Sequence, residues 1–127
     1  MSNTDEVVNL QDTQEIELPT IDITPYIGQK AKIETIIEKK GQFGFYVHIQ
    51  TEVVDTIEGG KEPLLLRGSR IFGLQEDAKG VIGWGKDTKL GVFLLSMKVS
   101  HYNELEGKEV ILQSRTSKDG LKFLTFD

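Results

Sequence analysis

The aromatic side chains of this chain are densest between residues 43 and 50, where the sequence reads FGFYVHIQ. Aromatic and β-branched residues at this density predict a strand, in which side chains point alternately to opposite faces. One set is apolar and is predicted to face the core: Phe43, Phe45, Val47 and Ile49. The other set is polar and aromatic: Tyr46, His48 and Gln50. A face of this second kind suits the stacking of unpaired bases; alternatively, Tyr46 and His48 merely cover a half-exposed strand.

Arginine is rare in this chain, and two of its three arginines flank a short segment that contains a glycine. Arg67 and Arg70 lie on either side of Gly68, and the third arginine is Arg115. The planar guanidinium group matches phosphate and stacks on flat rings, so these residues are candidate phosphate ligands. Strict alternation along a strand places Arg67 and Arg70 on opposite faces, unless a bulge near Gly68 shifts the alternation by one residue. The alternative is that they are surface arginines paired with acidic side chains.

Further candidate ligand contacts lie beside these residues and in the turns. Phe72 follows Arg70 on the same predicted strand and is a candidate for stacking. Trp84 lies in a glycine-rich loop, where its ring either stacks on a ligand or folds back as a plug over one end of the β-structure. The predicted turns carry lysines that can approach a phosphate backbone or simply remain solvated: Lys39, Lys40 and Lys118.

The residue patterns typical of enzymes are missing from the sequence. There is no cysteine, which excludes disulfides and thiolate chemistry. His48 and His101 lack the spacing of metal ligands, and no nucleophile or carboxylate partner accompanies them. The glycines at positions 80, 83 and 85 match neither a dinucleotide fingerprint nor a phosphate-binding loop. The sequence therefore predicts a protein that is not an enzyme and that has no metal or organic cofactor.

The net charge of −5 conceals an uneven distribution of acidic and basic residues. Six acidic residues and no basic residue lie within positions 1–25, so the rest of the chain carries a charge of +1. Residues 1–20 show neither helical nor strand periodicity, which predicts a disordered acidic arm that covers a basic groove or docks a protein partner. The chain lacks an apolar run long enough for a membrane span and a signal-peptide pattern, and we expect a cytoplasmic location.

Hydrophobic patterning predicts the element order β-β-β-α-β-β. The predicted strands cover residues 29–39, 43–54, 64–74, 109–116 and 121–126. The clearest turn signals are the glycine-containing segments 40–42 and 57–62 and the Asp119–Gly120 pair. After the third strand, an apolar stripe predicts a short helix with Asp87 as its N-cap. The stripe consists of Leu90, Phe93, Leu94 and Met97.

This element order resembles that of the OB-fold superfamily, whose five-stranded barrels carry a helix between the third and fourth strands. The resemblance covers residues 26–127 and implies a single, mainly β domain over residues 21–127. In OB-fold binders, the loop between the first two strands and the loop between the last two flank the ligand groove. Here these loops correspond to residues 39–42 and 117–120.

The resemblance, together with the candidate residues, leads us to expect binding of single-stranded nucleic acid, DNA in the first place with RNA as the alternative, with little sequence preference. The expected contact residues are Lys39, Lys40, Tyr46, His48, Arg67, Arg70, Phe72, Trp84, Arg115 and Lys118. Two alternatives remain open, because one fold serves many partners. The near-neutral core also fits a protein-interaction module without nucleic-acid contact, and a barrel that binds a carbohydrate or another small ligand ranks third.

Overall fold

The computed structural model describes residues 11, 13–14, 21–58 and 60–127. The predicted acidic arm, residues 1–20, lies almost entirely outside the described residues. The strands are β1 (Lys30–Gly41), β2 (Gly44–Thr51), β3 (Asp55–Ile57), β4 (Leu64–Leu66), β5 (Ser69–Gly73), β6 (Gln75–Glu76), β7 (Ile82–Gly83), β8 (Glu109–Thr116) and β9 (Lys122–Phe126). Helix α1 covers Lys89–Ser96, and two 3-10 turns cover Thr24–Tyr26 and Tyr102–Leu105.

Five of these strands form one antiparallel sheet in the order β5-β2-β1-β8-β9. Strand β1 lies at the centre because its C-terminal part pairs with β2 and its first residues pair with β8. The predicted mainly β fold is confirmed, and it contains this five-stranded sheet. No ladder of paired residues joins the edge strands β5 and β9 in the described part of the chain, so hydrogen-bonded pairing does not close the sheet into a barrel.

A β-bulge in β1 determines which of its isoleucines enter the core. Ile33 is paired with Thr51, but Thr35 is already paired with Gln50, so Glu34 is an extra residue in the ladder. Such an insertion reverses the alternation beyond it. Ile36 therefore packs against the core, whereas Ile37, which would share a face with Ile33 in an unbroken strand, is exposed.

The predicted third strand is broken in the structure. Residues 64–74 form β4 and β5, which are separated at Arg67 and Gly68. The break has a packing cause: a Cβ at Gly68 would lie 2.6 Å from Leu112 Cδ2, and the Gly68 amide donates to Thr51 Oγ1 at 2.8 Å. Strand β4 pairs with β3 in a separate hairpin around the predicted loop, and only β5 joins the large sheet.

The core lies between the inner side of the sheet and α1. Helix residues Leu90, Phe93 and Leu94 are buried, as their spacing predicts, and contact buried side chains from β1, β2, β5 and β9. The helix begins one residue later than predicted, because Thr88 rather than Asp87 is its N-cap. Thr88 Oγ1 accepts a hydrogen bond from the Gly91 amide at 3.2 Å.

Gly91 is required by this packing, so Gly91→Ala is expected to destabilise the protein. Alanine favours a helix interior by about 1 kcal/mol over glycine. Here, however, a Cβ would lie 2.4 Å from the carbonyl oxygen of Gly85 and 2.6 Å from that of Lys86. Moving that backbone is expected to cost about 1–3 kcal/mol and to outweigh the helix propensity. Chemical denaturation measures the difference; Gly83→Ala is the control, since its Cβ would meet no atom within 4 Å.

Candidate functional site

The exposed side of β1, β2 and β5, here called the outer face, gathers the polar and aromatic residues predicted on β2. Residues that oppose each other in an antiparallel ladder project to the same face. The register places Tyr46 between Lys39 and Gly73, and His48 between Ile37 and Ile71. Gln50 lies in the next row with Thr35 and Ser69. The outer face is therefore Thr35, Ile37, Lys39, Tyr46, His48, Gln50, Ser69, Ile71 and Gly73.

Tyr46 has a fixed neighbour on one side and open space on the other. Its ring lies beside Gly41, where an added Cβ would be 2.9 Å from Tyr46 Cε1. On the opposite side, the partner on β5 is Gly73, and a Cβ there would meet no atom within 4 Å. The half-buried ring is thus held from β1 and uncovered toward β5, which leaves room for a flat ligand beside it.

His48 lies at the centre of the outer face as a neutral hydrogen-bonding group. Its Nε2 is hydrogen-bonded to Ser69 Oγ, which fixes the ring orientation. Partial burial, with a smaller contribution from the charge of Lys39, lowers the pKa of His48 below its ordinary value. At neutral pH the imidazole therefore contributes a polar ring rather than a positive charge.

A cleft of about 400 Å³ continues the outer face from β5 toward β9. Its apolar walls are Ile71, which is 60% exposed, and Phe123, which is 42% exposed. Arg115 is paired with Phe123 in the β8–β9 ladder and brings its guanidinium group to the same cleft. Exposed apolar walls next to a cationic group suit a ligand that has a flat ring and an anionic group.

Arg70 occupies the junction between β5 and β9. Its guanidinium carbon lies 4.4 Å from the centroid of the Phe72 ring, and its Nη1 donates to the carbonyl oxygen of Phe126 at 3.1 Å. The side chain is mostly buried but still lines the cleft. Arg70 therefore links two strands that no ladder joins, and it contributes a positive charge beneath the cleft.

Three predicted contact residues line neither the outer face nor the cleft and are held by other parts of the protein. Arg67 donates to the carboxylate of Glu34 and to the carbonyl oxygen of Thr51. It is therefore an arginine paired with an acidic side chain, which was the alternative to phosphate binding. Phe72 is only 3% exposed and belongs to the core, because it lies on the inner side of β5. Its predicted availability for stacking is wrong.

Trp84 is the third of these residues. It is half-buried and packs against the core, with ring centroids 5.1 Å from His101 and 5.5 Å from Tyr102. Tyr102 is held in turn by a hydrogen bond that it donates to the carboxylate of Glu38. Burial and this hydrogen bond raise the pKa of Tyr102 to about 12, so the phenol stays protonated at neutral pH. The Trp84 ring thus acts as a plug over the core.

The turn between β1 and β2 exposes two phenylalanine side chains that alternation along residues 43–50 predicts to face the core. Phe43 is 98% exposed at the tip of the turn, and Phe45 is exposed with the ammonium group of Lys40 5.4 Å from its ring centroid. The predicted burial of both phenylalanines is wrong, although that of Val47 and Ile49 is confirmed. The hairpin extends beyond the core at this end. Phe43 and Phe45 therefore have no core side chains to pack against, although alternation places them on the same side of the strand as Val47.

The basic residues of the turns are exposed near the same regions. Lys39 is on the outer face, Lys40 lies beside Phe45, and Lys118 is exposed in the turn between β8 and β9. The functional candidates missed from the sequence are apolar: Ile37, Phe43, Ile71 and Phe123. Alternation along β5 and β9 would have identified Ile71 and Phe123, since each is next to a buried neighbour. Ile37 was hidden by the bulge at Glu34.

The fold and the site define a mainly β protein with one exposed sheet face, a cleft at the edge of that face and basic residues in the adjoining turns. No family model, curated protein or solved structure gives a significant match to the chain.

Within the described ranges, no group of three or more acidic or histidine side chains is arranged to hold a metal ion. No helix of the described residues has the length and apolar character needed to cross a membrane.

Proposed function

We propose that this protein binds single-stranded nucleic acid, DNA or RNA, through the outer face and the adjoining cleft, with little sequence preference. The observation that carries the proposal is the continuity of Tyr46, Ile71 and Phe123 as accessible flat or apolar groups between Lys39 and Arg115. Unpaired bases can stack on such groups regardless of sequence, because every base has a π face. The flanking cations are positioned for the phosphates.

The strand order supports placing the sheet in an OB-type barrel. In chain order, the large sheet consists of β1, β2, β5, β8 and β9. Strand β1 pairs with both β2 and β8, and α1 lies in the chain between β5 and β8. Edge strands β5 and β9 are neighbours, and the Arg70 side chain bridges them through the Phe126 carbonyl oxygen. In OB-type binders the ligand crosses the sheet between the first-hairpin turn and the last-hairpin turn. In this chain, those turns contain Phe43 and Lys118.

The proposed mechanism separates stacking from charge neutralisation. Tyr46 receives one base on its uncovered side, and the walls of the cleft receive a second. Lys39, Arg115 and Lys118 neutralise phosphates along the same path, whereas Lys40 projects with Phe45 to the opposite side of the hairpin and takes no part. A duplex fits this arrangement less well, because its bases are already stacked on each other. Arg67, Phe72 and Trp84 take no part in this mechanism, since each already has a structural partner or lies in the core.

The proposal predicts oligonucleotide binding that weakens steeply with salt. With three or four phosphate contacts, the slope of log K against log salt is expected to be roughly −2 to −3, at about −0.7 per contact on a single strand. Fluorescence anisotropy with labelled single strands of several base compositions measures this slope, and a duplex of the same sequence serves as comparison. Absence of binding at about 20 mM salt, where such contacts are weakly screened, would refute the proposal.

A pair of lysine variants on β1 tests where the strand lies. Lys39→Gln removes a charge opposite Tyr46 and is expected to reduce the magnitude of the salt slope by about 0.7. Lys30→Gln is the matched control: Lys30 is on the same strand but pairs with β8 and forms an ion pair with Glu109 at 3.7 Å. Equal effects of the two variants would mean that binding responds to total charge rather than to the outer face.

A protein-interaction module is the second candidate function. The observation in its favour is a pair of exposed apolar side chains on α1, Val92 and Leu95, on a side of the helix that faces away from the core. Exposed apolar groups in proximity are typical of protein-docking surfaces. Leu95→Glu should leave oligonucleotide binding unchanged if the outer face is the nucleic-acid site. Oligonucleotide binding lost in this variant alone would place the ligand on α1 instead.

A further inference from the structure

The two arginines that line the cleft between β5 and β9 share a carboxylate neighbour, the side chain of Asp127. Asp127 Oδ1 accepts a hydrogen bond from Arg115 Nη2 at 2.9 Å and lies 3.7 Å from Arg70 Nη1. A single carboxylate oxygen therefore lies between two guanidinium groups, both of which line the cleft. Carboxylate and phosphate oxygens bind guanidinium groups with the same charge-assisted geometry.

We infer that Arg70 and Arg115 form a phosphate subsite at the end of the cleft and that the Asp127 side chain occupies this subsite until a phosphodiester replaces it. The inference rests on the proposed function for the identity of the physiological ligand, a single-stranded nucleic acid. It adds a specific phosphate position and an internal competitor for it. Asp127 thereby sets the affinity of the cleft for anions.

The exposure of the three side chains is consistent with such an exchange. Arg115 and Asp127 are both about half exposed, so their ion pair is weak and can open without disturbing the core. Arg70 is largely buried and keeps its place through the Phe126 carbonyl oxygen and the Phe72 ring. When Asp127 moves away, a phosphate oxygen can contact one buried guanidinium group and one half-exposed guanidinium group.

The apolar walls determine what accompanies the phosphate. Ile71 and Phe123 lie beside the arginine pair, and the cleft volume of about 400 Å³ falls within the range of small-ligand sites. A nucleotide has a flat base for these walls and a phosphate for the arginines. An inorganic phosphate compound has no base and would bind only to the arginines. It is therefore a probe of the subsite that does not depend on base stacking.

The first experiment uses inorganic pyrophosphate and follows the Arg115 Nε–Hε signal by NMR in the full chain. Asp127→Asn is expected to bind pyrophosphate about twofold to fivefold more tightly than wild type, because an exposed ion pair of ordinary strength no longer competes. Asp119→Asn is the matched control: it removes the same charge from the turn of the same hairpin, outside the arginine pair. Equal affinities of wild type and Asp127→Asn, or an equal gain in both variants, would overturn the inference.

The second experiment uses a labelled oligothymidylate and measures the salt slope by fluorescence anisotropy. In Asp127→Asn the slope is expected to become steeper by about 0.7. In the wild type, the carboxylate displaced by the phosphate takes up a cation and offsets one cation released from the strand, and the variant lacks this uptake. Combining Asp127→Asn with Arg115→Gln should abolish this change, and its persistence would overturn the inference. If no variant binds oligothymidylate while pyrophosphate still discriminates Asp127→Asn, the proposed function fails and the anion subsite stands. Thermal melting of each variant verifies that the fold is intact.

Discussion

Phe72→Ala is expected to lower the free energy of unfolding by about 3–5 kcal/mol, the usual cost of removing a large aromatic side chain from a core. The Phe72 ring is buried, stacks on Phe93 with centroids 5.4 Å apart and supports the guanidinium group of Arg70. Truncation therefore leaves a cavity and also removes the aromatic surface beneath a mostly buried cation. Urea denaturation at constant pH and salt measures the change.

The control for this prediction is Phe43→Ala, at the tip of the first hairpin. Phe43 is almost fully exposed, so its removal is expected to change stability by less than about 0.5 kcal/mol. If Phe72→Ala does not fold, Phe72→Leu fills part of the cavity and should show a smaller loss in the same direction. A Phe72→Ala protein as stable as wild type but impaired in oligonucleotide binding would restore Phe72 as a ligand contact.

Strands β1, β2, β8 and β9 and helix α1 follow from local patterning, and the sequence predicts them. Alternation in β1 and the apolar stripe of α1 indicate elements that the structure contains with small shifts at their ends. The core positions of Val47 and Ile49 follow from the same alternation. Such patterns are readable because each buried side chain must face the one available core.

The site is less predictable, because it depends on where the alternation fails. The bulge at Glu34 moves Ile37 to the outer face, and the break at Gly68 arises from contacts with Leu112 and Thr51 on other strands. The local sequence indicates the break only by a glycine and the bulge only by one extra residue, so neither feature can be predicted from it. The partners of Arg67 and Arg70 are likewise distant in sequence: Glu34 for the first, and the Phe126 carbonyl oxygen for the second.

Tyr46→Ala is expected to weaken oligonucleotide binding by about 1–3 kcal/mol, or roughly 5-fold to 150-fold, the usual cost of losing one base-stacking partner. The ring is uncovered toward Gly73, so a base can lie against it without displacing another side chain. Because the ring also contacts Gly41, the substitution should reduce stability by at most about 1 kcal/mol, the scale of a cross-strand pair. Tyr46→Phe retains the ring and should bind within a few-fold of wild type.

Two comparisons separate stacking on Tyr46 from general effects of an aromatic substitution. Phe45→Ala removes the neighbouring ring, which projects to the opposite side of β2 near Lys40, and should leave binding nearly unchanged. Anisotropy titrations at one low salt concentration give the affinities, and thermal melts give the stabilities of the same samples. A Tyr46→Ala protein that melts early but binds normally when folded would contradict the assignment, because the ring would then support the hairpin instead of a base. Loss of binding in Phe45→Ala with Tyr46→Ala unaffected would move the ligand to the other side of β2.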